Sequence, residues 1–467
     1  MDLRMTRRAL PLALAGLIGL SSSLSFADSL SEIYELALKN DATLKAAEAT
    51  YRANLETEKI ARSALLPQVS GNARYTQSDS EIEQGPNPTR GTSTPINLEL
   101  DTDTTAYSLS LNQNIFDLPS WFSFKAGKLI SKQAEAQLAA DQQDLVIRVA
   151  QSYFNVLRAY ENLEAARAEE RAAKRQLEQT QQRFDVGLIA ITDVHEARAV
   201  FDNTVAQRLT FEANLGTAYE AMSVLTGRSH SEIMRLSEQF PVTNPTPEDR
   251  AEWVNFALEN NYQLKAALYR MQSSQKTAES KKWEHLPSVT GSLSYQDSDA
   301  DNEYSAAAGS FTTNDTTETT AIQFDLNIPI FSGGGVSASR RQAYEQYNAS
   351  LQQKINTQRQ IVQQTRSLHL TVSTDVQRIK ARKQNIVSAQ SALDATKAGY
   401  EVGTRNIVDV LQSQRSLYAA IRDYANTRFD YVLNMLKLKQ QAGILSPQDI
   451  YNLDKWLVAD EAKKQDI

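Results

Sequence analysis

The chain has 467 residues, a formal net charge of −7 and no cysteine, so neither disulfides nor thiolate metal sites hold it together. It carries no basic block and no basic-aromatic weave, which excludes a nucleic-acid footprint. Past the first 27 residues no apolar run approaches the length of a membrane helix, leaving a soluble exported protein or a β-barrel.

Residues 1–27 read as a signal peptide: Arg4, Arg7 and Arg8 precede the apolar stretch Ala9–Leu20, and Ser25 and Ala27 are the small residues for cleavage before Asp28. A helix is predicted over 31–64, N-capped by Ser31, with Ile33, Leu36, Ala37, Leu44, Ala47 and Tyr51 on one face. Alternation takes over after Pro67, with Val69, Gly71, Ala73 and Tyr75 set against Ser70, Asn72, Arg74 and Thr76. The polar segment from Gln77 reads as a long loop. Alternation then resumes with Tyr107, Leu109, Leu111 and Ile115 against Ser108, Ser110, Asn112 and Asn114.

Residues 120–184 hold no proline and one glycine, Gly127. Spacings of seven link Val146, Tyr153 and Tyr160, and Val149, Val156 and Leu163, the mark of helices that supercoil. At ~1.5 Å per residue this is a rod of about 100 Å, beside which the predicted helices 31–64 and 188–226 can lie end to end. Phe184-Asp185-Val186-Gly187 separates rod from short helix, with glycine in the terminating position. Residues 228–250, with Pro241, Pro245 and Pro247, link the first half of the chain to the second. They and 444–467 are expected to form an equatorial collar, with a loose charged tail from about Ala459.

The second part of the chain repeats the first. Leu36-Ala37-Leu38-Lys39-Asn40 returns as Phe256-Ala257-Leu258-Glu259-Asn260, and Leu66-Pro67 as Leu286-Pro287. Asn114-Ile115-Phe116 returns as Pro329-Ile330-Phe331, and Phe184-Asp185-Val186-Gly187 as Tyr400-Glu401-Val402-Gly403. Strands are again expected, with Val289, Leu293 and Tyr295, then Ile322, Phe324, Leu326, Ile328 and Ile330, on the apolar face; the spacing of sevens recurs at Val372, Ile379, Ile386, Leu393 and Tyr400. The domains are therefore read as two helix-strand-strand-helix repeats, 28–227 and 251–443. Each repeat offers two strands of roughly ten residues with one apolar and one hydrophilic face, as in a half-buried soluble sheet or a transmembrane barrel. The long loop at one end of the hairpin, and the aromatics Phe116, Trp121, Phe122 and Phe124 past the other, favour a barrel with a membrane-interface belt, to which Phe331 is added from the second repeat.

The tip segments 184–194 (Phe184-Asp185-Val186-Gly187 to Thr192-Asp193-Val194) and 398–411 (Ala398-Gly399-Tyr400 to Val408-Asp409-Val410-Leu411) resemble the TolC family of outer-membrane efflux channels, as does Leu326-Asn327-Ile328-Pro329-Ile330-Phe331-Ser332-Gly333-Gly334. The resemblance covers about Leu30 to Leu445. It implies a mainly α fold with a transmembrane β-barrel: a homotrimer in which four strands per protomer make one twelve-stranded shared barrel, above a hollow α-barrel that crosses the periplasm. The four strands by themselves say only that the barrel is shared, an eight-stranded dimer included. The resemblance further implies partners: a periplasmic adaptor (membrane fusion) protein, an inner-membrane pump of RND, ABC or MFS type, and outer-membrane lipid. The implied function is a passive exit duct for efflux or type I secretion.

The same resemblance places a periplasmic gate at the tips, with Thr192 and Asp193 as partners of Tyr400 and Arg405 and with Asp409 as a pore-lining acid. One turn later, where a member of that family carries a second acid, this chain has Gln412, which leaves one carboxylate per chain. Val186, Gly187 and Leu188, with Val402, Gly403 and Thr404, are the implied adaptor-docking surface. Outside the resemblance, Ser332-Gly333-Gly334-Gly335 lacks the Gly-Lys-Ser/Thr ending of a phosphate loop, and the four histidines have no metal-ligand spacing. No catalytic constellation, cofactor site or metal site is expected. The competing reading, a coiled-coil structural protein of the envelope without a channel, explains the helices but not the amphipathic strands.

Overall fold

The computed structural model describes residues 27–84, 96–306 and 309–459; the predicted signal peptide up to Phe26 and the tail beyond Ala459 lie outside the described residues. The first repeat runs α1 (Leu30–Asn40), α2 (Ala42–Ser63), β1 (Gln68–Gln84), β2 (Ile96–Phe116), α3 (Leu118–Asp185) and α4 (Ile191–Thr226). After the short β3 (Arg235–Leu236) the second runs α5 (Arg250–Asn260), α6 (Tyr262–Lys282), β4 (Ser288–Ala306), β5 (Gly309–Asn327), α7 (Gly335–Glu401) and α8 (Ile407–Gln441). Then α9 (Pro447–Asp454) and β6 (Leu457–Val458) close the described chain.

The helix expected over 31–64 is two helices. Ser29, not Ser31, caps α1, in a reciprocal box in which its hydroxyl accepts from the Glu32 amide and its own amide donates to the Glu32 carboxylate. The Ser31 hydroxyl instead donates to Asp454, 2.7 Å away. Between α1 and α2, Asp41 takes an extended backbone (φ −60°, ψ 116°) and caps the Leu44 amide at 2.7 Å. Asn261 does the same between α5 and α6, at φ −59° and ψ 122°, capping Leu264 at 3.0 Å. Both kinks dock on the end of a neighbouring helix: Asn40 donates to the Thr226 carbonyl at 2.7 Å, and Asn261 to the Gln441 carbonyl at 2.9 Å.

The strands are also longer than expected. β1 has 17 residues, β2 has 21, and β4 and β5 have 19 each, so pairing continues through the polar segments that read as loops. Ladder bonds are made by the backbone, and an acid alternating with a hydroxyl pairs as well as an apolar residue does once the register is set. The four strands form one antiparallel sheet in the order β1-β2-β4-β5. Val69, Leu111, Leu293 and Ile322 share one row on one face, and Ser70, Ser110 and Ser294 one on the other.

The long helices organise the rest. α3 is flanked by α2 near the sheet and by α4 beyond; α7 is flanked by α6 and then α8. Neighbours therefore run α2-α3-α6-α7 next to the sheet and α4-α3-α8-α7 towards the far end. The spacings of seven mark the buried seam: Val146, Val149, Tyr153, Val156, Leu163, Val372, Ile379 and Leu393 are all buried. The main core lies where α1, α3, α4, α5, α7, α8 and α9 meet, around Ile33, Tyr153, Phe154, Met222, Trp253, Phe429 and Ile450. There β3 pairs with β6, so the segments that come after the two repeats are stitched together. Among the described residues no helix is long and apolar enough to cross a membrane.

Asp41 is 3% exposed and accepts two hydrogen bonds from the Arg148 guanidinium of α3, at 2.8 and 2.9 Å. Those bonds hold its carboxyl below the usual aspartate range. A depressed folded pKa means the contribution is present above the unfolded value and lost as the pH falls through the folded one. Asp41→Ala should cost about 3 kcal/mol, since it removes a helix cap and leaves Arg148 without its buried partner. Melts followed by circular dichroism between pH 6 and pH 2 should show the parent losing its advantage over the variant below about pH 4. Equal pH profiles would mean the pair carries no stability.

Candidate functional site

The chain reverses twice at its far end, between α3 and α4 and between α7 and α8, and both reversals are built alike. The Gly187 amide donates to the Phe184 carbonyl at 2.8 Å and the Leu188 amide to Arg183 at 2.9 Å. In the second tip Gly403 donates to Tyr400 at 3.2 Å and Thr404 to Gly399 at 2.8 Å. These are paired Schellman closures, and they need a left-handed residue at the glycine, where φ is 78° and 80°. The loops leave Val186, Leu188 and Val402 at least 70% exposed, an apolar surface that nothing among the described residues covers. Gly187 and Gly403 have open space where a Cβ would stand, so only the backbone demands glycine there.

The helices restart differently. Ala190 caps α4 without a side-chain bond, whereas Asn406 and Asp409 form a reciprocal box at the start of α8, with the Asp409 amide donating to Asn406 at 2.8 Å. Asp409 also lies 3.8 Å from the Arg405 guanidinium, while Gln412, one turn on, is exposed. Thr192 touches Asp193 at 3.5 Å. Among the described residues no hydrogen bond joins Thr192 or Asp193 to Tyr400 or Arg405. The Tyr400 hydroxyl is buried without a partner, and Arg183 of α3 lies over its ring at 5.0 Å.

Sequence reasoning missed Arg183 and Gly399, which occupy equivalent places in the two tips. Arg183 crosses to the ring of Tyr400; Gly399 leaves the room in which Arg405 lies, since a Cβ there would come 2.8 Å from the Arg405 Cγ. The signal was present as a break in the repeat, an arginine in one copy and a glycine in the other. Between α3, α7 and α8 runs a groove of about 690 Å³ lined by Arg175, Gln179, Arg183, Lys397, Tyr400 and Gln414.

At the opposite end, where sheet meets helices, Phe116, Trp121 and Phe331 are exposed, Phe331 by 87%. Phe122 and Phe124 are half-buried beside them; the Trp121 and Phe124 rings are 5.9 Å apart, and Lys125 sits over both Trp121 and Phe122. Aromatic rings with a cation over their faces suit a boundary between lipid and water.

One cluster has the order of a hydrolase triad. The Asp28 carboxylate lies 2.6 Å from His230 Nδ1, and Thr226 Oγ1 lies 2.6 Å from His230 Nε2. Thr226 is fully buried and also bonds backbone carbonyls of Met222 and Arg228, so the row anchors the start of the described chain to the end of α4 and does no chemistry on a ligand. No group of His, Cys, Asp and Glu among the described residues has metal-holding geometry.

Comparison with known proteins decides the family. The outer membrane efflux protein family matches residues 33–228 and 253–443. The chain belongs to that family. It is 35% identical to the outer membrane protein TolC of Vibrio cholerae over 97% of this chain and 99% of that one. It is 27% identical to the alkaline protease secretion protein AprF of Pseudomonas aeruginosa, over 91% of this chain and 86% of AprF. Its fold matches the crystal structure of the Campylobacter jejuni CmeC outer membrane channel with a TM-score of 0.74 over 97% of this chain and 98% of that one, at 18% identity. As a member of the outer membrane efflux proteins the chain is a channel for efflux or type I secretion, sited in the Gram-negative outer membrane, and it is not an enzyme. The coiled-coil scaffold without a channel finds no support.

Proposed function

We propose that three copies of this chain close one twelve-stranded barrel in the outer membrane and form beneath it a helical duct. The duct receives cargo from an inner-membrane pump of RND, ABC or MFS type through a periplasmic adaptor. One observation carries the proposal: among the described residues the four-stranded sheet pairs inward only, leaving β1 and β5 as open edges. Open edges in lipid leave backbone donors and acceptors unmet, so another copy must supply the missing strands. The family supports three copies over two.

In this reading 28–227 and 251–443 are the working repeats, and 228–250 with 444–459 is the collar, the residues beyond Ala459 lying outside the described ones. The aromatic belt of Phe116, Trp121, Phe122, Phe124 and Phe331 rests at the lipid boundary. The exposed Val186, Leu188, Val402 and Thr404 surface, held in shape by Gly187 and Gly403, docks the adaptor. The gate is formed by Thr192, Asp193, Tyr400 and Arg405 when the tips draw together. The unpartnered Tyr400 hydroxyl supports this, because a buried donor with no acceptor in its own arrangement is satisfied by one that arrives. Asp409 lines the constriction, with Gln412 beside it.

Native mass spectrometry in detergent should return about three times the mass of one chain, and the same preparation should give single channels in planar bilayers. A monodisperse monomer with intact β signal would end the shared-barrel reading.

Tyr400→Phe combined with Arg405→Ser should raise conductance with assembly yield unchanged, because the tips lie far from the sheet. Unaltered conductance in the assembled double variant would remove these residues from the gate.

Three copies of Asp409 at one aperture, each shadowed by Arg405 at 3.8 Å, give a weaker cation site than two acids per chain would. A trivalent cation applied from the tip side should therefore block the parent only modestly. Gln412→Asp should strengthen the block and Asp409→Asn should nearly abolish it. If Asp409→Asn blocks like the parent, the constriction acid lies elsewhere.

A further inference from the structure

The two faces of the sheet exchange character along the strands. Near the helices one face carries Val69, Leu109, Leu111, Leu293, Tyr295 and Ile322, and the other carries hydroxyls and amides such as Ser70, Ser108 and Ser294. Towards the β1–β2 and β4–β5 connections the first face turns acidic: Asp79 stands opposite Asp101, Asp101 opposite Glu303, and Glu81 opposite Glu99. There the second face turns apolar. Ile82 pairs with Leu98, Leu100 with Tyr304, and Tyr304 with Phe311, the last two rings stacked at 4.7 Å and 12°.

A slipped register would produce such an exchange, but none occurs here. From Leu98 to Asn114 the β2–β4 pairing is unbroken, and its shift lies at Asn114/Phe116, by the helices. Every residue keeps its face, so the inversion belongs to the sequence. Phe116 back to Tyr107 already spans about 30 Å of strand at ~3.3 Å per residue, enough for a tilted strand to fill the apolar band of an outer membrane. The inverted ends therefore stand clear of the lipid, with carboxylates facing outside water and apolar side chains facing the lumen.

Among the described residues of a single chain nothing covers this patch fully: Ile82 is 43% exposed and Phe311 58%. The connecting residues 85–95, Gly-Pro-Asn-Pro-Thr-Arg-Gly-Thr-Ser-Thr-Pro, hold no large apolar side chain with which to cover it. Ile82 lies on β1 and Phe311 on β5, the two open edges of the sheet. Joining β1 of one copy to β5 of the next makes the patch continuous around the barrel.

We propose that the patch is an interaction surface for its own counterparts in the other copies. Ile82, Leu98, Leu100, Tyr304 and Phe311 of each copy converge to form an apolar constriction at the outer mouth, a second closure in addition to the tips. Apolar side chains facing a narrow aqueous lumen exclude water and stop ions and polar solutes without filling the bore completely. The inference rests on the shared-barrel reading above.

The cysteine-free chain allows a direct test. On intact cells a charged maleimide should label Asp101→Cys, on the outer face, rapidly. Ser108→Cys, on the luminal face below the patch, should react at least about ten-fold more slowly. Adding Leu100→Thr and Phe311→Thr, which extend the hydroxyl lining upwards, should bring Ser108→Cys close to the Asp101→Cys rate. Fast labelling of Ser108→Cys in the otherwise unchanged chain overturns the constriction, as does slow labelling that the threonines fail to relieve. If the threonine variant does not assemble, the comparison of Ser108→Cys with Asp101→Cys decides alone. Assembly size in detergent separates the two failures: a monomer overturns barrel and constriction together, an intact assembly with fast labelling only the constriction.

Discussion

Backbone amides and carbonyls cannot be left open in lipid, and the rest of the architecture answers to that demand. The sheet satisfies it across three strand pairs and stops with two edges unpaired, so the membrane part of the molecule is incomplete in one chain. Each hairpin leads directly into a long helix, β2 into α3 and β5 into α7, so whatever completes the sheet also sets the spacing of the rods. The asymmetric crowding near the sheet, α2-α3-α6-α7, and towards the tips, α4-α3-α8-α7, arises because each short helix fills half the length of a rod. A duct that begins as strands and ends as coils thus needs no separate device to hold its two parts in line.

Much of this was legible in the residues, and the parts that were not have identifiable causes. The repeat, the coil spacings and the glycine-closed tips were readable because each rests on local rules: sevens for buried seams, glycine for a left-handed turn. The kink at Asp41 was hidden because the helical pattern continues in phase on both sides of it, and only the match of Asp41 with Asn261 ahead of Leu44 and Leu264 betrays a cap. The outer strand halves were hidden because an alternation of acids with hydroxyls looks like a loop to any rule that searches for apolar residues. At the tips, Arg405 and Asp409 are only four residues apart, yet their pairing went unread, because the resemblance assigned Arg405 to Thr192 and Asp193. Arg183 over Tyr400 depends on how α3 packs on α7 and could not be seen in the residues.

The two seams between the core and the tips differ in kind, and the difference determines which motion is cheap. α7 and α8 are joined by an apolar cluster of Leu393, Val410 and Leu417, with Ile386 and Tyr400 packed against it. α3 and α8, the seam between the repeats, are joined by a polar ladder: Asn162 to Asn426, Arg158 to Asp430 at 2.5 Å, and Glu169 to Arg422 at 2.9 Å. The ladder is imperfectly satisfied, with Arg158 Nε and Asn426 Oδ1 buried and unpartnered. Opening the α7–α8 seam exposes apolar surface at about 25 cal/mol per Å² and also breaks the Arg382–Asp423 pair at 2.9 Å and the Thr396–Ser413 bond at 3.2 Å. Opening the polar one exchanges protein hydrogen bonds for water at a net of roughly 1 to 3 kcal/mol each, the two ionic rungs at the upper end, and it relieves the unpartnered groups. The α7–α8 pair therefore moves most cheaply as one body, hinged on the apolar core around Phe154 and Phe429. In the proposed gate, Tyr400 and Arg405 travel with that body while Asp193 stays with the α3–α4 pair, so the distance between them measures how far the tips have parted.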